Sequence, residues 1–340
     1  MMQYRQLGKT GLLVSRLCFG TMTFGGTTDF WKIVGESGQR EANQLVSVCM
    51  ENGINFFDTA DMYSMGDSEK ILGKAIGAKR KDVVIATKVH SRMGPGPNQM
   101  GQSRVHIMQA VENSLSRLGT DYIDLYQIHN YDSVTPFEES LRTFDDLIRQ
   151  GKVRYIGCSN LAAWQIMKAL GISELHGWEK FVSVQSYYSL AGRDLEREIV
   201  PLLKDQNLGL LTWSPLAGGF LSGKYTRTNE PKDGSRRTQF DFPPIDLERS
   251  YSIIDELQTI AKRHNTSVAA IALAWQLHQP FVTSVIIGAK KMEQLKDNLK
   301  ATEIKLSSEE MEAINAASEL KTEYPIWMQR FNSDRVPVTV

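Results

Sequence analysis

From residue 54 onward one pattern recurs: short runs rich in β-branched and aromatic residues alternate with longer stretches whose apolar residues return at helical spacing. Such alternation builds βα units on a parallel sheet, because each crossover helix must cover the strands it joins. The strand runs fall at 54–58, 83–88, 123–129, 154–159, 181–185, 209–214 and 283–288, with a weaker eighth at 301–304. Helical spacing fits 40–52, 103–118, 195–206, 253–264 with 268–279, and 291–299. Before 137–148, Thr135, Pro136 and Glu138 read as a capping box with proline at the first helical position, and Phe137, Leu141, Phe144 and Ile148 share one face. No linker rich in Gly, Pro or Ser divides the 340 residues, so we expect one α/β domain over 1–340, a single parallel (β/α)8 TIM barrel. A β-hairpin turned between Gly8 and Gly11 and reaching to Gly20 precedes it. Three stretches, 22–39, 91–102 and 217–247, carry neither period and suit loops at the barrel mouth.

Charge and cysteine content narrow the partners. Thirty-nine Lys and Arg balance 39 Asp and Glu, so no net field favours nucleic acid or an anionic membrane. No run reaches the roughly 18 apolar residues of a membrane span, and MMQYRQLGKTG lacks the apolar stretch of a secretory signal. Cys18, Cys49 and Cys158 are odd in number and set among apolar neighbours, which fits reduced thiols in a cytoplasmic protein and no metal site.

In a parallel barrel the C-terminal strand ends meet on one face. Here they carry Asp58, Lys88, His129, Ser159 with Asn160, Gln185, Trp213 with Ser214, and Gly288 with Ala289 and Lys290. Carbonyl reduction needs a hydride, which no side chain supplies, and a proton for the nascent alkoxide. Tyr63, five residues past Asp58, can give that proton if a cation lowers its phenol from about pH 10. Lys88 can be the cation, Asp58 its counterion, and His129 a hydrogen-bond partner of the carbonyl oxygen. Taken singly, each has a plainer reading: Asp58 as a loop cap, Tyr63 as packing, His129 as a core histidine, Lys88 as an exposed or Schiff-base lysine.

NFFDTADMY, VVIATK, DLYQIH, YIGCSN, the Gln185 strand end and TWSPLAGGFLSGKY stand in the order of the aldo-keto reductases, which the chain resembles over nearly its whole length. The likeness is to the bacterial branch similar to potassium-channel β-subunits. It implies Asp58, Tyr63, Lys88 and His129 as catalytic residues and NADP(H) across the barrel face, in keeping with the absence of a GxGxxG turn. By the same resemblance Ser159, Asn160 and Gln185 meet the nicotinamide carboxamide, Trp213 stacks on its ring, and Gly20, Thr21 and Met22 lie by its ribose. The loop Ser214, Pro215, Leu216, Gly218 to Lys224 would clasp the pyrophosphate with its backbone amides. Ile287, Gly288, Ala289 and Lys290 would take the adenosine phosphate at a helix start, with Gln294 and Asn298 at the adenine. Trp31, Phe30, Met93 and Trp327 are candidates to line the pocket of a small carbonyl substrate, whose identity the loops leave open. A docking protein that keeps the barrel and cofactor, and an aldolase using Lys88, are the alternative functions.

Overall fold

This computed structural model describes residues 2–26, 28–229 and 236–331. An antiparallel hairpin of β1 (Tyr4–Gln6) and β2 (Leu13–Ser15) leads into a closed eight-stranded parallel barrel. The first half runs β3 (Leu17–Gly20), α1 (Asp29–Val34), α2 (Gln39–Glu51), β4 (Phe56–Asp58), α3 (Asp67–Ile76), β5 (Val84–Val89), α4 (Arg104–Leu118) and β6 (Ile123–Ile128). It continues through α5 (Phe137–Arg149), β7 (Val153–Ser159), α6 (Ala163–His176), β8 (Phe181–Tyr187), α7 (Ile199–Gln206) and β9 (Gly209–Trp213). After α8 (Arg236–Gln239), α9 (Leu247–Arg263) and α10 (Val268–His278), β10 (Ser284–Ile287) completes the sheet; α11 (Met292–Lys300), α12 (Ser308–Ala317) and α13 (Ile326–Phe331) follow. The (β/α)8 architecture is therefore the one the sequence pattern implies.

The closing strand is not where the pattern put it. Residues 301–303 form turns, and the eighth strand is β3, which pairs in parallel with β10 on one side and β4 on the other. The hairpin accordingly ends at Ser15 rather than at Gly20. The strand run read first is thus the second barrel strand, and each later one moves up by one. Four residues, LCFG, all buried, are too short to show any alternation, whereas Thr302 and Ile304 look β-forming out of context. The capping box is also absent: Pro136 occupies the N-cap, and the Thr135 hydroxyl turns back to donate to Asp132 Oδ2 at 2.7 Å. Asp132 Oδ1 accepts from the Val134 and Thr135 amides, so an aspartate three residues earlier organises that turn. Helices α3, α6 and α12 carry no expectation from the sequence. In α3 half of the buried residues are polar, Ser68 and Glu69, and in α6 Trp164, Met167 and Leu175 face solvent, so neither shows a clean apolar stripe.

Two apolar layers hold the barrel. Inside it, Cys18, Phe56, Val84, Ala86, Leu125, Leu211 and Ile286 interdigitate, and Leu7 and Val14 of the hairpin close the N-terminal end. Outside it, a larger layer packs the helices against the strands. Gly8 lets the hairpin seat: at φ +59° a Cβ would lie 2.2 Å from the Val182 carbonyl oxygen.

Arg16 fastens this closed end. Only 3% exposed, it donates to the carbonyls of Leu277, Val282 and Thr283, tying the chain between β2 and β3 to the end of α10 and the start of β10. Burial, with Arg5 nearby, pulls the guanidinium down to about 9. Arg16→Leu strips donors from buried carbonyls and is expected to cost about 3 kcal/mol in urea unfolding. Ligand binding at the opposite end should stay unchanged at 25 °C; an unchanged urea midpoint would show the contacts to be idle.

Candidate active site

The loop after β4 is fixed on both sides of Tyr63. Upstream, Thr59 Oγ1 lies 3.0 Å from the hydroxyl of Ser68, which donates to Thr21 O at 2.7 Å and lies 2.8 Å from Thr21 Oγ1. Downstream, Ser64 (φ 48°), Met65 (φ 54°) and Gly66 (φ 93°) turn the chain through three left-handed residues. Ser64 Oγ holds that turn by donating to Phe24 O at 3.0 Å and accepting from the Gly26 amide at 3.0 Å. Buried Glu69 then accepts from Thr87 Oγ1 at 2.5 Å and Arg117 Nε at 2.6 Å, locking α3 to β5 and α4. Two non-glycine residues in the left-handed region cost energy, and this surrounding set of bonds is what maintains them.

The expected charged group assembles beneath Tyr63. Lys88, 0% exposed, donates to Asp58 Oδ1 at 2.5 Å, to Thr59 O at 2.7 Å and to the Tyr63 hydroxyl at 3.4 Å. Burial alone would lower the ammonium, but Asp58 and Tyr63 outweigh it and Lys88 stays raised and charged. The His129 ring meets Tyr63 edge-on, with centroids 5.9 Å apart. Burial, then the charges of Lys88 and His90, push His129 well below the usual histidine range, so the ring is neutral, and its buried Nδ1 has no hydrogen-bond partner among the described residues. Gln127, which the sequence reading passed over, donates to Asp58 Oδ2 at 3.3 Å, as Gln185 does at 2.7 Å.

Asp61 lies behind this group, 0% exposed, with no hydrogen-bond partner for either carboxylate oxygen among the described residues. Burial first, then the charge of Glu69, push its carboxyl up to about 8, against the opposite pull of Arg117 and Lys88.

Two cavities open at the mouth. One, of about 340 Å³, holds Tyr63, Asp58 and His129 at its base, with Gly20, Met22, Ser159, Asn160, Gln185 and Trp213 around them. The other, of about 390 Å³, runs outward past Leu216, Gly218, Lys224, Ala289, Lys290, Gln294 and Asn298. Thr23, Ser214, Pro215, Ile287 and Gly288 line both, so the two form one channel. Thr21 is buried behind it, binding Asp58 O. Trp31 and Phe30 stand in the first wall, but Met93 and Trp327 lie outside the lining of both cavities. Phe240, Phe242 and Met62 complete that wall; the first two come from a stretch without periodicity, and nothing in the sequence marked them. Phe242 lies parallel to Trp213, at 8° and 5.8 Å, while Trp213 Nε1 donates to Asn160 Oδ1 at 3.1 Å.

Backbone amides around the outer cavity are largely committed. Those of Ala217, Gly218 and Gly219 donate to Ser214 O, Ser214 Oγ and Leu216 O, so they are not the open clasp that the glycines suggested. Gly218 has a local reason to be glycine, since a Cβ there would lie 2.3 Å from Phe242 O. Gln294 Oε1 likewise caps the amides of Lys290 and Lys291 at 2.8 and 3.1 Å. What faces a ligand here is chiefly side chain, including Lys224 and Lys290.

A closed parallel barrel with this buried cluster at its mouth defines a class, and comparison with known sequences agrees. The Aldo/keto reductase family model matches residues 16–319, and the chain belongs to that family, an oxidoreductase family. An uncharacterized oxidoreductase, YrpG, of Bacillus subtilis is 40% identical over 325 residues, covering 92% of this chain and 95% of its own. A probable voltage-gated potassium channel subunit beta of Arabidopsis thaliana is 38% identical over 315 residues (89% and 92%), and versiconal hemiacetal acetate reductase of Aspergillus parasiticus 35% over 332 (92% and 95%). Among the described residues no helix is long and apolar enough to cross a membrane.

Asp61 yields a sign that can be measured. Unfolded, its carboxyl ionises near pH 4; folded, it keeps its proton up to about 8, so between those values the folded chain binds more protons and its contribution to stability falls as pH rises. Asp61→Asn removes that slope, and we expect it to gain on the order of 2 kcal/mol relative to the parent between pH 5 and pH 8. Parallel stability curves for the two proteins across that range would refute the assignment.

Proposed function

We propose that this protein is an NADPH-dependent reductase of aldehydes or ketones, working as one catalytic domain in the cytoplasm. The observation that carries the reading is Lys88 Nζ set between Asp58 Oδ1 at 2.5 Å and the Tyr63 hydroxyl at 3.4 Å, at the base of an apolar cavity. A bound nicotinamide dinucleotide supplies the hydride that no side chain can. The channel suits such a group: Gln185, whose Nε2 is committed to Asp58 and Gln127, lines the inner cavity, and two lysines flank the outer one.

Tyr63 then hands its proton to the oxygen of the reacting carbonyl, and the charge left on the phenolate is held by Lys88. In alcohol oxidation the phenolate takes the proton back. Asp58 keeps Lys88 charged in spite of burial, and neutral His129 contributes a hydrogen bond to the same oxygen without adding charge. As a Schiff-base amine Lys88 is poorly placed, being fully buried and donating to three oxygens. Phe30, Trp31, Phe240, Phe242 and Met62 favour a carbonyl compound with a flat apolar substituent. The three buried free cysteines suit a reducing compartment.

Lys290 is the proposed contact for the 2′-phosphate. Its Nζ also donates to Ile33 O at 2.9 Å, at the end of α1, and the amine stands in the lining of the outer cavity, within reach of an anion placed there.

Two outcomes follow from this assignment of roles. Tyr63→Phe should lower kcat for an aromatic aldehyde about a thousandfold while the NADPH dissociation constant, read by fluorescence, changes little; wild-type turnover in that variant would end the proposal. Lys290→Ala should weaken NADPH about tenfold and leave NADH unaffected, and an equal loss for both would remove Lys290 from the phosphate.

A further inference from the structure

Asp58 gives one carboxylate oxygen to Lys88 and turns the other, Oδ2, towards two amides. Gln185 Nε2 donates to it at 2.7 Å and Gln127 Nε2 at 3.3 Å, and Gln185 Nε2 also reaches Gln127 Oε1 at 3.5 Å. Reversing either amide would set a carbonyl oxygen against the carboxylate, so the charge of Asp58 fixes both senses. Gln127 is 0% exposed and sits beside Lys88 in the β5–β6 register. It lies outside the lining of both mouth cavities. Gly157 makes room for it, since a Cβ there would lie 3.3 Å from Gln127 Cγ and 2.8 Å from Ser183 Oγ. With the nitrogen of Gln185 turned inward to Asp58 and Gln127, its side chain has only Oε1, an acceptor, to offer the cavity.

We propose that Gln127 is a positioning residue for carbonyl reduction: by holding Asp58 Oδ2 and Gln185 Nε2 together, it aims the Asp58–Lys88 pair at Tyr63 and makes position 185 an acceptor for the N–H of a nicotinamide carboxamide. This rests on the reductase reading. Gln127 touches neither cofactor nor substrate and acts through Asp58 on the proton side and through Gln185 on the hydride side. Once it is removed, Asp58 Oδ2 keeps a single donor, and rotation of the Gln185 amide breaks one contact fewer.

The test uses the full chain with Gln127→Met, which keeps the length and loses both polar atoms, and Gln127→Glu. Dissociation constants are measured by fluorescence for NADPH and for its reduced 3-acetylpyridine analogue, whose methyl ketone has no N–H to donate. Melting temperatures and kcat against pH with 4-nitrobenzaldehyde accompany them. Wild type should bind NADPH about tenfold more tightly than the analogue, the worth of one buried hydrogen bond. Gln127→Met should narrow that ratio to about threefold and lower kcat about tenfold, with KM for the aldehyde little changed. Gln127→Glu should approach wild type at pH 5.5, where the new carboxyl is protonated and donates to Asp58, and lose activity towards pH 8, where two carboxylates repel, by more than any change in the parent, whose Asp61 titrates at about 8.

A folded Gln127→Met with wild-type discrimination and kcat overturns the inference. Equal weakening of NADPH and analogue, with a pH profile for Gln127→Glu parallel to the parent's, overturns it too, since that is what loss of packing alone produces. If Gln127→Met does not fold, the pH profile of Gln127→Glu decides. If wild type binds no NADPH, or Tyr63→Phe retains full activity, the reductase reading fails first and this inference goes with it; those outcomes differ from any that overturn Gln127 alone.

Discussion

A carboxylate and an ammonium, Asp58 and Lys88, are buried against each other at 2.5 Å with 3% and 0% exposure, and much of the barrel mouth is arranged to tolerate them. Removing two charges from water costs several kcal/mol for each ion, and their mutual attraction offsets this only when the remaining lone pairs and protons also find partners. Here they do: Thr59 O takes a second proton of Lys88, and two glutamine amides take Asp58 Oδ2. The pair lies on β4 and β5 and its partners on β6, β8 and the residue after β4, so it is satisfied only if these strands hold their register. The burial of this ion pair and the register of these strands are therefore linked.

The pair also explains why the neighbouring loop is built so stiffly. A phenol 3.4 Å from an ammonium feels it strongly only while that distance persists, because water entering between them would screen the charge. The left-handed turn at 64–66, the Ser64 bridge to Phe24 and Gly26, and the Glu69–Arg117 clamp leave the Tyr63 loop little freedom to let water in. Trp31, edge-on to Tyr63 with centroids 5.9 Å apart, shields it from the side of α1.

The sequence carried the parts of this that local chemistry controls. Seven barrel strands announced themselves because parallel strands buried on both faces need continuous β-branched runs, and the polar residues at their ends stood out against that background. β3 did not, being four residues long and recognisable only by pairing with strands nearly 40 and 270 positions away. Helix α3 hid because Ser68 and Glu69, buried to hold a loop, interrupt the apolar face that Leu72 and Ile76 would otherwise announce. Phe240 and Phe242 left no trace because their positions are set by contact with Phe30 and Trp213, distant in the chain.

Gln127 shows a different limit. In DLYQIH it is a polar residue among apolar ones, and periodicity by itself gives no reason to prefer a role over a tolerated defect. A buried amide that found no partner would cost about 1–3 kcal/mol, so its presence in a parallel strand already implied a polar neighbour inside the barrel. Asp58 was the candidate closest to hand, since the aspartate at one strand end needs more donors than a single lysine provides. Matching buried donors to the acceptors that a proposed ion pair leaves open is thus a step available before any coordinates exist, and in this chain it connects β6 to β4 through one side chain.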